Sequence, residues 1–303
     1  MLHEYAVEPS LLNNWKDFRY FTEKFGVSRG RLISRYPKRW KKLVYDSLTN
    51  CGDVERKRIE EALQRLDERM IRRQHDWNPH CDWLSNAETE HGRRPFHAIL
   101  ACANPRQRDF VLEGDSVDAS HPLWEVATSR VIARQAPAMA ACVAPLLRSC
   151  TEVIFVDPHF RPHELRYRRP LAAFLATVID NRQHPWPRRI EIHTGDELSA
   201  DYFKRECQHC LPSLVPQGMR VRIVRWRSQR GGDILHNRYI LTDLGGVSFG
   251  CGLDDSDAGG TDDVMLLEDV SYRFRWAQFS GAEPAFELVD EQIIEGSRGL
   301  QTP

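Results

Sequence analysis

The chain has 303 residues, 41 % of them hydrophobic, with 42 Lys/Arg against 43 Asp/Glu and a formal net charge of −1. That length allows one large or two modest domains with a substantial core. No apolar run approaches the roughly 18 residues that span a bilayer, so no transmembrane segment is expected.

The start, Met1-Leu2-His3-Glu4, lacks a basic region followed by an apolar core, so no secretion signal is expected either. The 8 cysteines form no disulfide-like framework, which suits a reducing cytoplasm. Charge is unevenly spread. Residues 1–75 carry 17 Lys/Arg against 11 Asp/Glu, and residues 254–303 carry 3 Arg against 12 Asp/Glu. A basic head and an acidic tail can serve nucleic acid, a partner, or each other.

Residues 9–75 read as helical. Leu11, Leu12, Trp15, Phe18, Phe21 and Phe25 recur at helical spacing behind Pro9 and Ser10. Arg29, Arg31, Arg35, Lys38, Arg39, Lys41 and Lys42 follow, interleaved with Tyr36 and Trp40. Such a segment can hold phosphate backbones through its cations and stack bases on its aromatics. The plainer reading is a solvated helix face with its aromatics buried. No helix-turn-helix or zinc-finger signature supports sequence-specific reading. Residues 54–73 look like a charged helix with Ile59, Leu63, Leu66 and Ile71 as its stripe. Residues 74–83 read as a loop, and Phe96–Ala101 as a strand.

The expected organisation is a mainly helical N-terminal domain over 1–122 and an α/β domain over 123–303. In the second, 123–149 reads as a helix, 152–156 as a buried strand stopped by Asp157-Pro158, and 162–182 as a helix. Residues 189–193, 220–226, 234–241 and 246–250 read as strands, and 197–211 as a helix. Alternating strands and helices imply a sheet with helices on its faces. Residues 264–295 supply a further strand and a terminal helix or strand, and 259–263 a mobile loop. Cys207 and Cys210, with His209 between, are half of a zinc pattern. His75, His80 and Cys81 are distant partners at best, and on a helix the pair are simply neighbours, so no metal is assigned.

The run from Ile234 to Asp254 carries the chemistry. His236 and Arg238 fall on one face of a strand, where an imidazole can attack or shuttle a proton and a guanidinium can hold two anionic oxygens. The glycine-rich strand that follows lets a ligand approach the backbone. At the ends of the neighbouring strands lie Asp157, His159 and His163, then His193, Asp196 and Glu197. There a second histidine can come from the same chain, or these residues can simply cap helices.

Written His236-x-Arg238-x4-Asp243, then Gly250-Cys251-x-x-Asp254, this stretch resembles the half-motif of the phospholipase D superfamily, His-x-Lys-x4-Asp followed by Gly-Ser-x-x-Asn. Arg238 replaces Lys, Cys251 replaces Ser and Asp254 replaces Asn. The resemblance covers roughly residues 123–296. It implies a phospholipase D-like mixed sheet flanked by helices and a metal-independent phosphodiesterase, here a nuclease, with no cofactor. By it, His236 is nucleophile or acid, Arg238 the phosphate clamp and Asp243 the carboxylate that orients a histidine. Gly250, Cys251, Asp254 and His159 line the phosphate site. With one half-motif per chain, two His236 side chains would meet across a homodimer axis.

The Leu-His-x-Arg and Gly-x-Gly-Leu-Asp variants are also similar to a subfamily that binds lipid or protein without hydrolysis. An Asp254 paired with Arg238 would favour that alternative, a binding or dimerisation module serving a nucleic-acid, protein or membrane partner. Stand-alone proteins of this kind often accompany ATPases in bacterial anti-phage systems, so the resemblance also implies an effector or accessory subunit with an ATPase partner.

Overall fold

The computed structural model of the chain describes residues 1–49, 51–180, 182, 185–282 and 284–297. It divides into two compact units, Met1–Thr128 and Ser129–Pro303. Residues 181 and 298–303, inside the expected 162–182 helix and the expected C-terminal domain, lie outside the described residues.

The N-terminal unit is α/β. Its elements are β1 (His3–Val7), α1 (Trp15–Thr22), β2 (Arg31–Ser34), α2 (Trp40–Ser47), α3 (Asp53–Arg65), β3 (Met70–Ile71), α4 (Trp83–Arg93), β4 (Ala98–Ala101) and β5 (Val111–Glu113). Five parallel strands, in the order β3-β2-β1-β4-β5, run through its middle. Leu11, Leu12, Phe18, Phe21 and Phe25 are buried together, as their spacing predicts. The expectation of a mainly helical region missed the sheet, apart from the strand read over Phe96–Ala101, where β4 lies. Its strands have only two to five residues, too few for an alternating pattern to mark them. β2 lies inside the basic aromatic segment itself.

The C-terminal unit starts later than residue 123. Ser129–Ala133 forms β6, and the helix expected over 123–149 begins only at Ala136. The order is then α5 (Ala136–Ser149), β7 (Glu152–Val156), α6 (Leu165–Ile179), β8 (Arg189–Gly195), α7 (Ala200–Cys210), β9 (Arg220–Ser228), β10 (Arg238–Thr242), β11 (Gly245–Phe249), β12 (Thr261–Leu266), α8 (Asp269–Ser280) and β13 (Phe286–Glu295). These strands make one mixed sheet in the order β13-β9-β8-β7-β10-β11-β12-β6. β7, β8 and β9 are parallel, and β10 runs antiparallel beside β7. Helices cover both faces. Phe155 stacks on Phe174 of α6 at 5.5 Å, while Ile154, Tyr239 and Leu241 pack with Phe279 of α8 on the other side.

The acidic C-terminal segment has a local destination. As β13 it pairs with the arginine-rich β9, where Asp290 meets Arg225 at 2.9 Å, Glu295 meets Arg220 at 2.8 Å and Glu291 meets Arg222. Among the described residues, no helix is long and apolar enough to cross a membrane.

Candidate functional site

The site lies where the parallel strands end. β7 stops at Val156 because Pro158 has no N–H to continue the ladder. Asp157, buried at that corner, accepts the backbone N–H of His159 at 2.9 Å and that of Leu253 at 2.8 Å. Its carboxylate thereby joins the end of β7 to the loop after β11. Burial pushes the Asp157 carboxyl above the usual carboxylate range, against the pull of those two amides.

Two cavities open beside this corner, and Arg238 lines both. The first, about 260 Å³, is also lined by Arg134, Asp157, His159, Arg161, Arg166, Tyr167, Cys251 and Asp254. The second, about 360 Å³, includes His236, Asn237, Tyr239, Ser248, Phe249, Gly250, Met265 and Arg275 in its wall.

The arginines of the first cavity are not equivalent. Arg134 holds Asp254 through its Nη2 and, at 3.1 Å, donates from Nε to the Asp254 carbonyl. Arg166 approaches the same carboxylate at 3.5 Å and Glu164 at 2.7 Å. Arg161 bridges Glu164 at 3.4 Å and Glu197 at 3.3 Å. The Arg238 guanidinium has no ion-pair or hydrogen-bond partner among the described residues, and its Nε is buried. Its charge draws the nearby Asp157 carboxyl down, against burial. The pairing of Asp254 with Arg238 that would favour the non-catalytic alternative is not formed: Asp254 pairs with Arg134 and Arg166 instead.

Sequence accounts for how the Asp254 loop is held. Pro170 sits inside α6 and cannot donate to the carbonyl of Arg166 one turn earlier. That freed carbonyl accepts the N–H of Asp255 at 2.8 Å. The N–H of Ser256 goes to the carbonyl of Arg134 at 2.9 Å. Gly252, at φ 145°, threads between the acids: a Cβ there would lie 2.6 Å from Asp254 Oδ1 and 3.3 Å from Asp157 Oδ2.

The histidines occupy different places. His236 precedes β10 instead of lying on it, because pairing begins only with Arg238 opposite Phe249 and Tyr239 opposite Val156. It is exposed, lines the second cavity, and has no hydrogen-bond partner among the described residues. His159 lines the first cavity, with its Nδ1 2.7 Å from Glu197 Oε1. His193 is buried and spoken for: Trp226 Nε1 donates to its Nδ1 at 2.9 Å and its Nε2 meets Glu191 at 2.8 Å.

Asp243 does not orient a histidine. It lies past the opposite end of β10, about 17 Å from Arg238 at strand spacing, and accepts from Thr151 and Glu152. Gly250 and Cys251 fall on different cavities, with the Cys251 N–H donating to Asp262 at 2.9 Å. Burial, reinforced by Asp262, pushes the Cys251 thiol up, so it adds no anion. Burial likewise pushes the Tyr167 hydroxyl up to about 12.

No family model matches this chain, and no curated protein matches it. Among solved structures, it is similar to a chain of TrmBL2, an archaeal chromatin protein whose structure is described as showing a novel mode of DNA binding. The identity is 12 %, the match covers 57 % of this chain and 57 % of that chain, and the TM-score is 0.27. A likeness of that size assigns neither fold nor function.

In the N-terminal unit the basic segment does not form one free face. Arg31 is stacked on Trp124 at 4.4 Å and donates to its carbonyl, Arg35 donates to the carbonyl of Lys38 at 3.3 Å, and Lys41 pairs with Asp67 at 2.9 Å. Tyr36 and Trp40 are fully buried, so neither can stack on a base. Arg29, Lys38, Arg39 and Lys42 remain exposed. Cys207 is buried on α7, and among the described residues no group of three or more His, Cys, Asp or Glu is placed to hold a metal ion.

Arg134, Arg161 and Arg166 escaped the sequence reading. A signal existed for the last two: Arg161, Arg166, Arg168 and Arg169 crowd the segment just after a strand that ends in Asp-Pro. Arg134 had none, since only the pairing of β6 with β12 brings it there.

Proposed function

We propose that the C-terminal unit is a phospholipase D-like domain that binds a phosphodiester of nucleic acid at Arg238 and hydrolyses it with histidine chemistry. The observation that carries this reading is the Arg238 guanidinium, unpaired among the described residues at the junction of two cavities, with its Nε buried. A phosphodiester bears one negative charge, and a planar fork of donors matches two of its oxygens. The neighbouring arginines are already shared with Asp254, Glu164 and Glu197, so they shape the cavity more than they charge it.

Arg238 thus fixes the phosphorus, with the exposed ring of His236 close by in sequence as its nucleophile. The second cavity, with Phe249 and Met265 among polar walls, suits a nucleoside on one side of the scissile bond. The strand order also supports the reading, since a central parallel strand ending in Asp157-Pro158 lies beside the antiparallel β10 that carries Arg238.

The test is incubation of labelled single-stranded DNA and RNA with the wild type, His236→Ala and Arg238→Ala, in a chelator. We expect cleavage by the wild type only, with binding kept in His236→Ala and weakened in Arg238→Ala. No cleavage by the wild type, together with unchanged affinity in Arg238→Ala, overturns the reading.

A second reading, binding without turnover, is favoured by one observation: nothing among the described residues holds the His236 ring. Affinity that depends on Arg238 in a wild type without turnover would select it.

A further inference from the structure

We propose that His159, held by Glu197, is the general acid and base of the Arg238 site, so that a single chain carries both histidines and needs no second copy. This rests on the phosphodiester reading above. His159 and Glu197 come from the connections that follow β7 and β8, two adjacent parallel strands, so both emerge at the edge where Arg238 begins β10.

The geometry assigns the proton. Glu197 accepts from His159 at Nδ1, 2.7 Å away, while Nε2 has no hydrogen-bond partner among the described residues and is the ring nitrogen left for a ligand. Arg161 holds the other Glu197 oxygen at 3.3 Å, and Asp157 holds the His159 backbone N–H at 2.9 Å. The ring is therefore held at Nδ1 and its backbone at the N–H, on the wall of the cavity that Arg238 also lines. The His159 and Glu197 side chains are 41 % and 46 % exposed, and ion pairs of that exposure add little to stability. Loss of the pair is then read in chemistry before it is read in folding.

The steps balance. A ring nitrogen of His236 attacks phosphorus, and a P–N bond forms as the P–O bond to the leaving group breaks. The electron pair stays on the leaving oxygen, which takes the proton from His159 Nε2. Water then attacks the phosphohistidine, giving its proton to His159 Nε2. A P–O bond forms, the P–N bond breaks, and its electron pair returns to His236. The sum is diester plus water to monoester plus alcohol. Glu197 is a positioning residue here and His159 a catalytic one.

The experiment compares two substrates in the wild type, His159→Gln and Glu197→Gln. One is a dinucleotide, whose alkoxide needs a proton to leave. The other is a nucleoside p-nitrophenyl phosphodiester, whose nitrophenolate does not. His159→Gln should lose about 100- to 10,000-fold in first-turnover cleavage of the dinucleotide. It should keep the burst of nitrophenolate and accumulate phosphorylated His236. Glu197→Gln should lower kcat on the dinucleotide in the same sense with KM little changed.

Wild type mixed with about tenfold excess of His236→Ala should keep its turnover per active chain. A fall in that mixture, or equal first-turnover losses on both substrates, or no loss in His159→Gln, overturns the assignment while leaving the phosphodiesterase reading intact. A wild type inactive on both substrates removes that reading, and this assignment with it.

Discussion

Asp243 grips Thr151 twice, accepting its backbone N–H and its hydroxyl at 2.7 Å each, and takes the N–H of Glu152 at 3.0 Å as well. The carboxylate thus ties the end of β10 to the start of β7, at the opposite end of the strand from Arg238. Its role is to lock two central strands in register. Asp243→Ala should cost about 0.5–1.5 kcal/mol, the net worth of a hydrogen bond whose donors water can reach at this strand start. Thermal unfolding should show that loss, while cleavage per folded molecule stays at the wild-type level. A collapse of turnover without loss of stability would return Asp243 to the site.

Arg238 should dominate phosphate affinity. Hydrogen bonds to charged groups contribute about 1.5–3 kcal/mol, so Arg238→Ala should weaken oligonucleotide binding roughly 10- to 100-fold. Arg238→Lys keeps the charge but not the fork, and should fall between wild type and alanine. Anisotropy titrations at two salt concentrations would check both, because the alanine variant should also show a shallower salt dependence.

The buried pair of His193 and Glu191 predicts acid sensitivity. Burial keeps His193 neutral in the folded state, against the pull of Glu191, and the Trp226 N–H on its Nδ1 demands the neutral ring. Burial alone would raise Glu191, but bonds from His193, Arg189 and Arg222 outweigh it and hold its carboxyl at about 2. Both folded values lie below the unfolded ones, so both groups contribute stability at high pH that is lost on acidification. The His193 part should start to fade below about 6.5, and the Glu191 part between about 4.5 and 2. Melting temperatures across pH 8 to 3 should fall in two stages, and His193→Gln should abolish the first.

The basic segment should divide by burial. Trp40 is fully buried and donates to the Val7 carbonyl at 2.6 Å, so Trp40→Ala should cost about 3–5 kcal/mol. A milder Trp40→Phe should leave nucleic-acid affinity untouched. Reversing the exposed Lys38, Arg39 and Lys42 to Glu should lower any salt-dependent association of this unit without unfolding it. Affinity that follows Trp40 instead would restore base stacking.

Much of the C-terminal unit was legible in the sequence. Val153, Ile154 and Phe155, then Ile190 and Ile192, then Val221 and Ile223, announce buried strands between helical spans, and the structure places β7, β8 and β9 there. Of the N-terminal sheet only β4 was legible, within the strand read over Phe96–Ala101. Leu32 and Ile33 offer only two buried apolar residues between Arg31 and Ser34, and the neighbouring strands that bury them come from far along the chain.

Local chemistry in the sequence determined that Arg238 would lie on a strand, that Pro158 would end β7 and that Pro170 would free a carbonyl in α6. Each follows from a residue's own hydrogen-bonding capacity or its alternation along a strand. Only the tertiary structure decided the partners. It gave Asp254 to Arg134 and Arg166, gave Asp243 to Thr151 and Glu152, and left Arg238 without a partner among the described residues, on a cavity that His159 also lines. The physical reason is that ion pairing depends on distance through space. Arg134 reaches Asp254 only after β6 and β12 pair, and no spacing along the chain records that.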